Sequence, residues 1–257
     1  MYEQHLPDYI HNFLDDNRWL LKQSDHYRFF YFSNSTAERE IEFIEKRQEQ
    51  SYKKIIDFLE VPEPKRYIEY YLYPDKDTKR NLMGDDWYAQ AILNEFRVHV
   101  LYTEEHKPIG EHEDTHLLAL SLGQSIGFFC EGLAEYLVGH SWHGENHDTL
   151  AIEALKKKLL PSLNEMMEHK KWLDLDDDNI QYYYSYAASF TKFLIEKYGK
   201  DKFKILYQKT KRNNTREENN NVFIGVYDIL PNIVEEEWRK NLNDGNFIRT
   251  SMDYLKS

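Results

Sequence analysis

His112 and His116 lie four residues apart, and Glu113 follows the first of them directly. In a helix, residues i and i+4 share one face, so the two imidazoles can offer nitrogens to a single ion. A zinc site takes such nitrogens at roughly 2.0–2.1 Å. Glu113 falls about 100° further round a helix of ~3.6 residues per turn, so it can reach a water beside the ion without being a ligand. Hydrolysis needs that equipment: a Lewis acid, a water whose pKa the ion lowers towards ~7, and a carboxylate to take the proton. Catalytic zinc has three protein ligands and one open position, so a third donor is required. Glu131 and Glu135, in Glu131-Gly132-Leu133-Ala134-Glu135-Tyr136, are the obvious sources.

The H-E-x-x-H string and this second string together resemble the gluzincin metallopeptidases, the thermolysin-like and aminopeptidase-like group that holds zinc with two His and one Glu. The resemblance spans roughly residues 25–245 and is motif-grade only over 112–136. The group's second-helix motif is N-E-G-[FL]-A-E-Y. It implies Glu131 as the third ligand, with Glu135 one turn on and orienting His112 by its other ring nitrogen. The aminopeptidase spacing H-E-x-x-H-x18-E lands instead on Glu135. Cys130 stands where the motif has Asn, and a lone Cys beside a ligand is read as small packing. The metzincin pattern H-E-x-x-H-x-x-G-x-x-H fails, because Ala119 and Leu122 occupy its Gly and third His.

The same resemblance implies an oxyanion donor. Tyr184-Ser185-Tyr186-Ala187-Ala188 is similar to the aminopeptidase segment Y-x-x-G-A, with Ala187 in place of Gly, which selects Tyr184. No G-x-M-x-N signature for gripping a free N-terminus is present, which favours an endopeptidase. The function implied is zinc-dependent hydrolysis of peptide bonds in a peptide or protein substrate. Its rival is a non-catalytic zinc-binding scaffold or interaction module with a peptidase-like fold. An intact Glu113 argues against that rival, because only chemistry requires it.

Composition narrows the classes further. Forty-five acidic residues against 33 basic ones give a net charge of −12, which disfavours nucleic acid as a partner. A single cysteine excludes a disulfide framework and fits a reducing compartment. No apolar run approaches the ~18 residues of a membrane span, and Met1 to Ile10 lacks a basic-then-apolar leader pattern. The expectation is a cytoplasmic protein with no membrane partner. Twenty Tyr, 14 Phe and 5 Trp without an accompanying basic groove suit a core and cleft wall built of large rings.

The elements that must position the site follow from periodicity. A short amphipathic helix is expected over residues 5–22, a strand over 26–32, and a long helix from Ser35 or Thr36 to a stop before Pro62. A second strand covers 67–73, a turn-rich connection 76–84, and a third strand 94–102. That third strand, or residues 85–93, is the edge on which the resemblance would lay extended peptide. The H-E-x-x-H helix opens after Gly110 and ends at Gly123, and residues 128–138 form the glutamate helix. In the loop 140–148, His140 and His143 are candidate polar contacts to substrate. Asp174 to Asn179 mimics a calcium loop, but Asn179 and Ser185 stand where Gly and the bidentate Glu belong, so it is read as a solvated acidic turn. Helices are expected over 150–160, 187–198 and from Asp201 to Tyr207, a polar loop over 212–221, and helical segments over 222–230 and 233–242. The fold class expected is α+β and gluzincin-like, with a small N-terminal sheet plus helices and a mostly helical C-terminal part. It forms one domain over 1–257, with subdomains 24–122 and 123–257.

Overall fold

The aromatic-rich runs pair into a sheet. In the computed structural model, which describes residues 18–243, the strands are β1 (Trp19–Gln23), β2 (Tyr27–Phe32), β3 (Ile68–Tyr73), β4 (Ala89–Ile92) and β5 (Arg97–Leu101). Their order is β1-β2-β3-β5-β4. β1 and β2 form an antiparallel hairpin, β2-β3 and β3-β5 run parallel, and β4 returns antiparallel on β5. A parallel pair needs a long crossover, and α1 (Thr36–Leu59) supplies it between β2 and β3. Ser35 caps α1 by accepting from the Glu38 amide, and Glu60 ends it in a left-handed conformation. Ile44, Tyr52, Ile55 and Leu59 face the core from α1.

The structure departs from the sequence expectations at several elements. Residues 5–17 of the expected first helix lie outside the described residues, and Trp19–Gln23 is strand instead. The connection after β3 is a helix, α2 (Lys76–Met83). Asp75 starts it by accepting from the Thr78 amide, and Gly84 stops it at φ 83°. The segment 85–93 contributes the edge strand β4, so the strand next to it, β5, is interior and shorter than expected.

The backbone gathers into two compact units, divided between Ser121 and Leu122. The first ends with α3 (Glu111–Leu118) and one 3-10 turn at Ala119–Ser121, so the helix stops sooner than the expected Gly123. Gly110 opens α3 at φ 120°, where a side chain would be strained, and an added Cβ would sit 2.9 Å from an Arg47 guanidinium nitrogen.

The second unit is helical among its described residues. Its centre is α4 (Gly127–Val138), buried except at Tyr136 and Val138. A helix apolar all round belongs inside a core. Around it come α5 (His147–Lys156), α6 (Leu163–Met166), α7 (His169–Leu173), α8 (Ile180–Tyr198), α9 (Lys200–Lys209), α10 (Arg216–Tyr227) and α11 (Pro231–Asn243). α4 and α8 approach closely at Gly132, where an added Cβ would collide with the Thr191 hydroxyl and lie 2.7 Å from the Ala187 carbonyl oxygen. The tyrosine run 182–186 is part of α8 and does not precede it. α5 starts at His147 and ends at Lys156, short of the expected 150–160. Residues 216–221 are the first half of α10, not a loop, and Thr215 and Glu218 close a capping box there. Gly199, not Asp201, stands at the start of α9. The described fold is thus mixed α+β, and no described helix is long and apolar enough to cross a membrane.

Candidate metal centre

The short helix α3 is fixed by polar groups. Glu111, Glu113, Asp114 and Thr115 are all buried, an unusual density of polar side chains in eight residues. Glu111 pairs with Arg47 at 2.5 Å and with Lys54 at 3.0 Å. Burial pushes the Glu111 carboxyl up, but hydrogen bonds from those two cations outweigh it and its pKa falls below the ordinary value. Asp114 is fully buried and accepts from the Tyr27 hydroxyl and from Gln48 Nε2, the latter at 2.9 Å. Gln48 also donates to the Tyr70 hydroxyl and accepts from the Gly110 amide at 2.6 Å. Burial is the main reason the Asp114 carboxyl is pushed up to about 8; the tyrosine hydrogen bonds oppose it and the neighbouring Glu113 and Glu111 carboxylates add to it. Sequence reasoning passed over Asp114 because it is a variable position of the H-E-x-x-H string. The available signal was its place on the helix face opposite the histidines.

With α3 held from behind, His112 and His116 stand partly exposed on its other side. Their Nε2 atoms are 3.3 Å apart. Two nitrogens that each bind a tetrahedral zinc at 2.0–2.1 Å would be separated by about 3.3–3.4 Å, so the spacing fits one shared ion. Glu113 is 6% exposed, and its buried Oε2 has no hydrogen-bond partner among the described residues. An orphaned buried carboxylate oxygen is costly, and a catalytic role is one reason for a fold to keep it. Lys79, fully buried and paired with Asp85, lies within electrostatic reach of Glu113. Asp85 in turn accepts from Gln90 of β4 at 2.8 Å.

On α4, Glu131 and Glu135 sit one turn apart and are 3% and 1% exposed. Carboxylates so buried in an apolar helix require partners. His112, His116 and Glu131 each offer one ligand atom of a kind that could hold a metal ion. Two imidazoles and a carboxylate are a donor set that zinc accepts. Glu135 meets His147, whose Nε2 lies 3.4 Å from Glu135 Oε2. Cys130 is a buried free thiol near the Ser125 carbonyl and the Tyr207 hydroxyl, in keeping with a packing role.

The remaining expected residues are more dispersed. Tyr184 is half-buried, its ring flanked by Trp142 at 5.3 Å and Trp172 at 5.4 Å between centroids. Its neighbours are committed elsewhere: Tyr182 donates to Glu153, Tyr183 donates to Asp176, and Tyr186 packs on Phe128 and Trp238 in the core. His140 and His143 are exposed on a loop organised by Ser141, whose hydroxyl accepts from the His143 and Glu145 amides. The third histidine of that cluster, His147, is the buried one, and sequence reasoning missed it. Asn146, which caps α5 by accepting from the Asp148 and Thr149 amides, was the signal that His147 begins a helix.

No protein-family model matches the chain, and no curated protein matches it in sequence. The gluzincin resemblance therefore stands on this chain's own residues, chiefly those of α3 and α4.

Proposed function

We propose that the chain is a zinc metallopeptidase of gluzincin-like fold that cleaves peptide or protein substrates internally. The observation that carries this reading is the donor set, His112 and His116 with Nε2 atoms 3.3 Å apart and Glu131 as the third ligand. A zinc ion held there would act as a Lewis acid towards the scissile carbonyl and lower the pKa of water. Glu113 takes the proton from the attacking water and passes it to the leaving amine, a role suited to a buried carboxylate oxygen with no hydrogen-bond partner among the described residues. Tyr184 donates to the developing oxyanion. β4, at the edge of the sheet, pairs with the extended substrate backbone.

Glu113 is not a ligand in this scheme, which gives the test. Glu113→Gln should keep its zinc and its fold, and lose at least ~10²-fold in turnover of an unstructured protein such as casein. Full turnover in that variant would remove the hydrolase reading and leave the zinc scaffold in its place.

A further inference from the structure

Glu135 is buried deep in the second unit on α4, and His147 at the first turn of α5 is an imidazole close to it. His147 is itself 7% exposed. Its Nδ1 lies 3.1 Å from Ser185 Oγ on α8, and its Nε2 lies 3.4 Å from Glu135 Oε2. A neutral imidazole has one N–H and one bare nitrogen. Accepting from the Ser185 hydroxyl at Nδ1 places the proton on Nε2, which lies beside Glu135 Oε2 but makes no hydrogen bond among the described residues. Burial lowers the His147 pKa, and the Glu135 carboxylate and backbone carbonyl oppose that lowering. Three helices therefore meet through one chain of side chains, Ser185 to His147 to Glu135.

Serine, histidine and a carboxylate in series could also suggest a nucleophile. Ser185 is fully buried, so no substrate reaches its hydroxyl. The chain has a different use. Carboxylates close to a metal site orient the ligands, and they need partners of their own to stay in place.

We propose that His147 is the positioning residue that fixes the Glu135 carboxylate, with Ser185 fixing His147 in turn, so that this relay tunes how tightly the neighbouring ligand set holds zinc. The inference rests on the zinc reading above and adds a residue to it. It also explains why only one histidine of the 140–147 cluster is buried: His147 serves α4, whereas His140 and His143 face solvent.

The test is zinc affinity of the full chain, measured by competition with a chromogenic chelator after removal and re-addition of the metal. His147→Ala should bind zinc ~10–100-fold more weakly than the parent. His147→Gln, whose amide reaches the position of Nε2, should restore most of the affinity, and Ser185→Ala should lose only a few-fold. A residue acting through Glu135 adds nothing once Glu135 is disabled, so His147→Ala in a Glu135→Gln background should bind no more weakly than Glu135→Gln alone. Packing loss would instead make the two effects additive. If His147→Ala does not fold, His147→Gln and Ser185→Ala still decide the matter. Parent protein that binds zinc while His147→Ala binds within two-fold of it, or additive losses in the double variant, overturns the relay alone. Parent protein that takes up no zinc overturns the site and the relay together.

Discussion

The helices α3 and α4 carry the two halves of the proposed ligand set, and they are anchored by opposite means. α3 is held by charge and hydrogen bonds: Glu111 to Arg47 and Lys54, and Asp114 to Tyr27 and Gln48. α4 is held by shape, with Gly132 against the backbone of α8 and Gly127 against the Trp172 ring. A polar anchor fixes direction, because each hydrogen bond has a preferred line. An apolar anchor fixes depth, because nothing larger fits. A metal site needs both: imidazoles aimed at a point, and carboxylates carried deep enough to leave bulk water.

That contrast can be broken most severely on the packing side. Gly132→Val puts two methyl groups where one Cβ already collides with Thr191 and crowds the Ala187 carbonyl. The Ala187 carbonyl is helix backbone and cannot yield without separating α4 from α8, so a loss of about 3 kcal/mol in denaturant unfolding is expected. Near-parent stability would show that α4 is not gripped at that point.

The polar side should break more gently and be repairable. Asp114→Ala leaves the Tyr27 hydroxyl and Gln48 Nε2 without their shared acceptor, at a cost of about 2 kcal/mol. Asp114→Asn keeps an oxygen that accepts from both and should cost under about 1 kcal/mol. A packing anchor has no such isostere. If Asn costs as much as Ala, the network around Asp114 is not what holds α3, and the contrast with α4 dissolves.

The two helices also differed in how far the sequence disclosed them. α4 was legible almost to the residue, since its near-continuous apolar run ends at Gly139, which caps it in a left-handed conformation. The long α1 was equally plain from its spacing and from Ser35. α3 was legible as a helix opening after Gly110, but the partners that hold it lie 87 residues away at Tyr27 and 66 away at Gln48, and no local pattern announces a contact that distant. Short polar helices were lost for a related reason. α2 and the start of α10 carry few apolar residues, so periodicity says nothing, and their signals were the caps Asp75 and Thr215. Trp19–Gln23 was taken for helix because its apolar residues also fit a 3–4 residue period, and pairing with β2 decided the outcome. His147 shows the same limit, since its partners Glu135 and Ser185 lie on two other helices.

The zinc content of purified protein, determined by elemental analysis after exhaustive dialysis, tests the central claim most directly. The proposed site would supply three of the four tetrahedral positions, so the parent should hold about one zinc per chain. His116→Ala should hold almost none and melt at a lower temperature, because it forgoes the stabilisation that ligand binding confers. Parent protein that takes up no added zinc, or a His116→Ala variant that retains a full equivalent, would contradict the account.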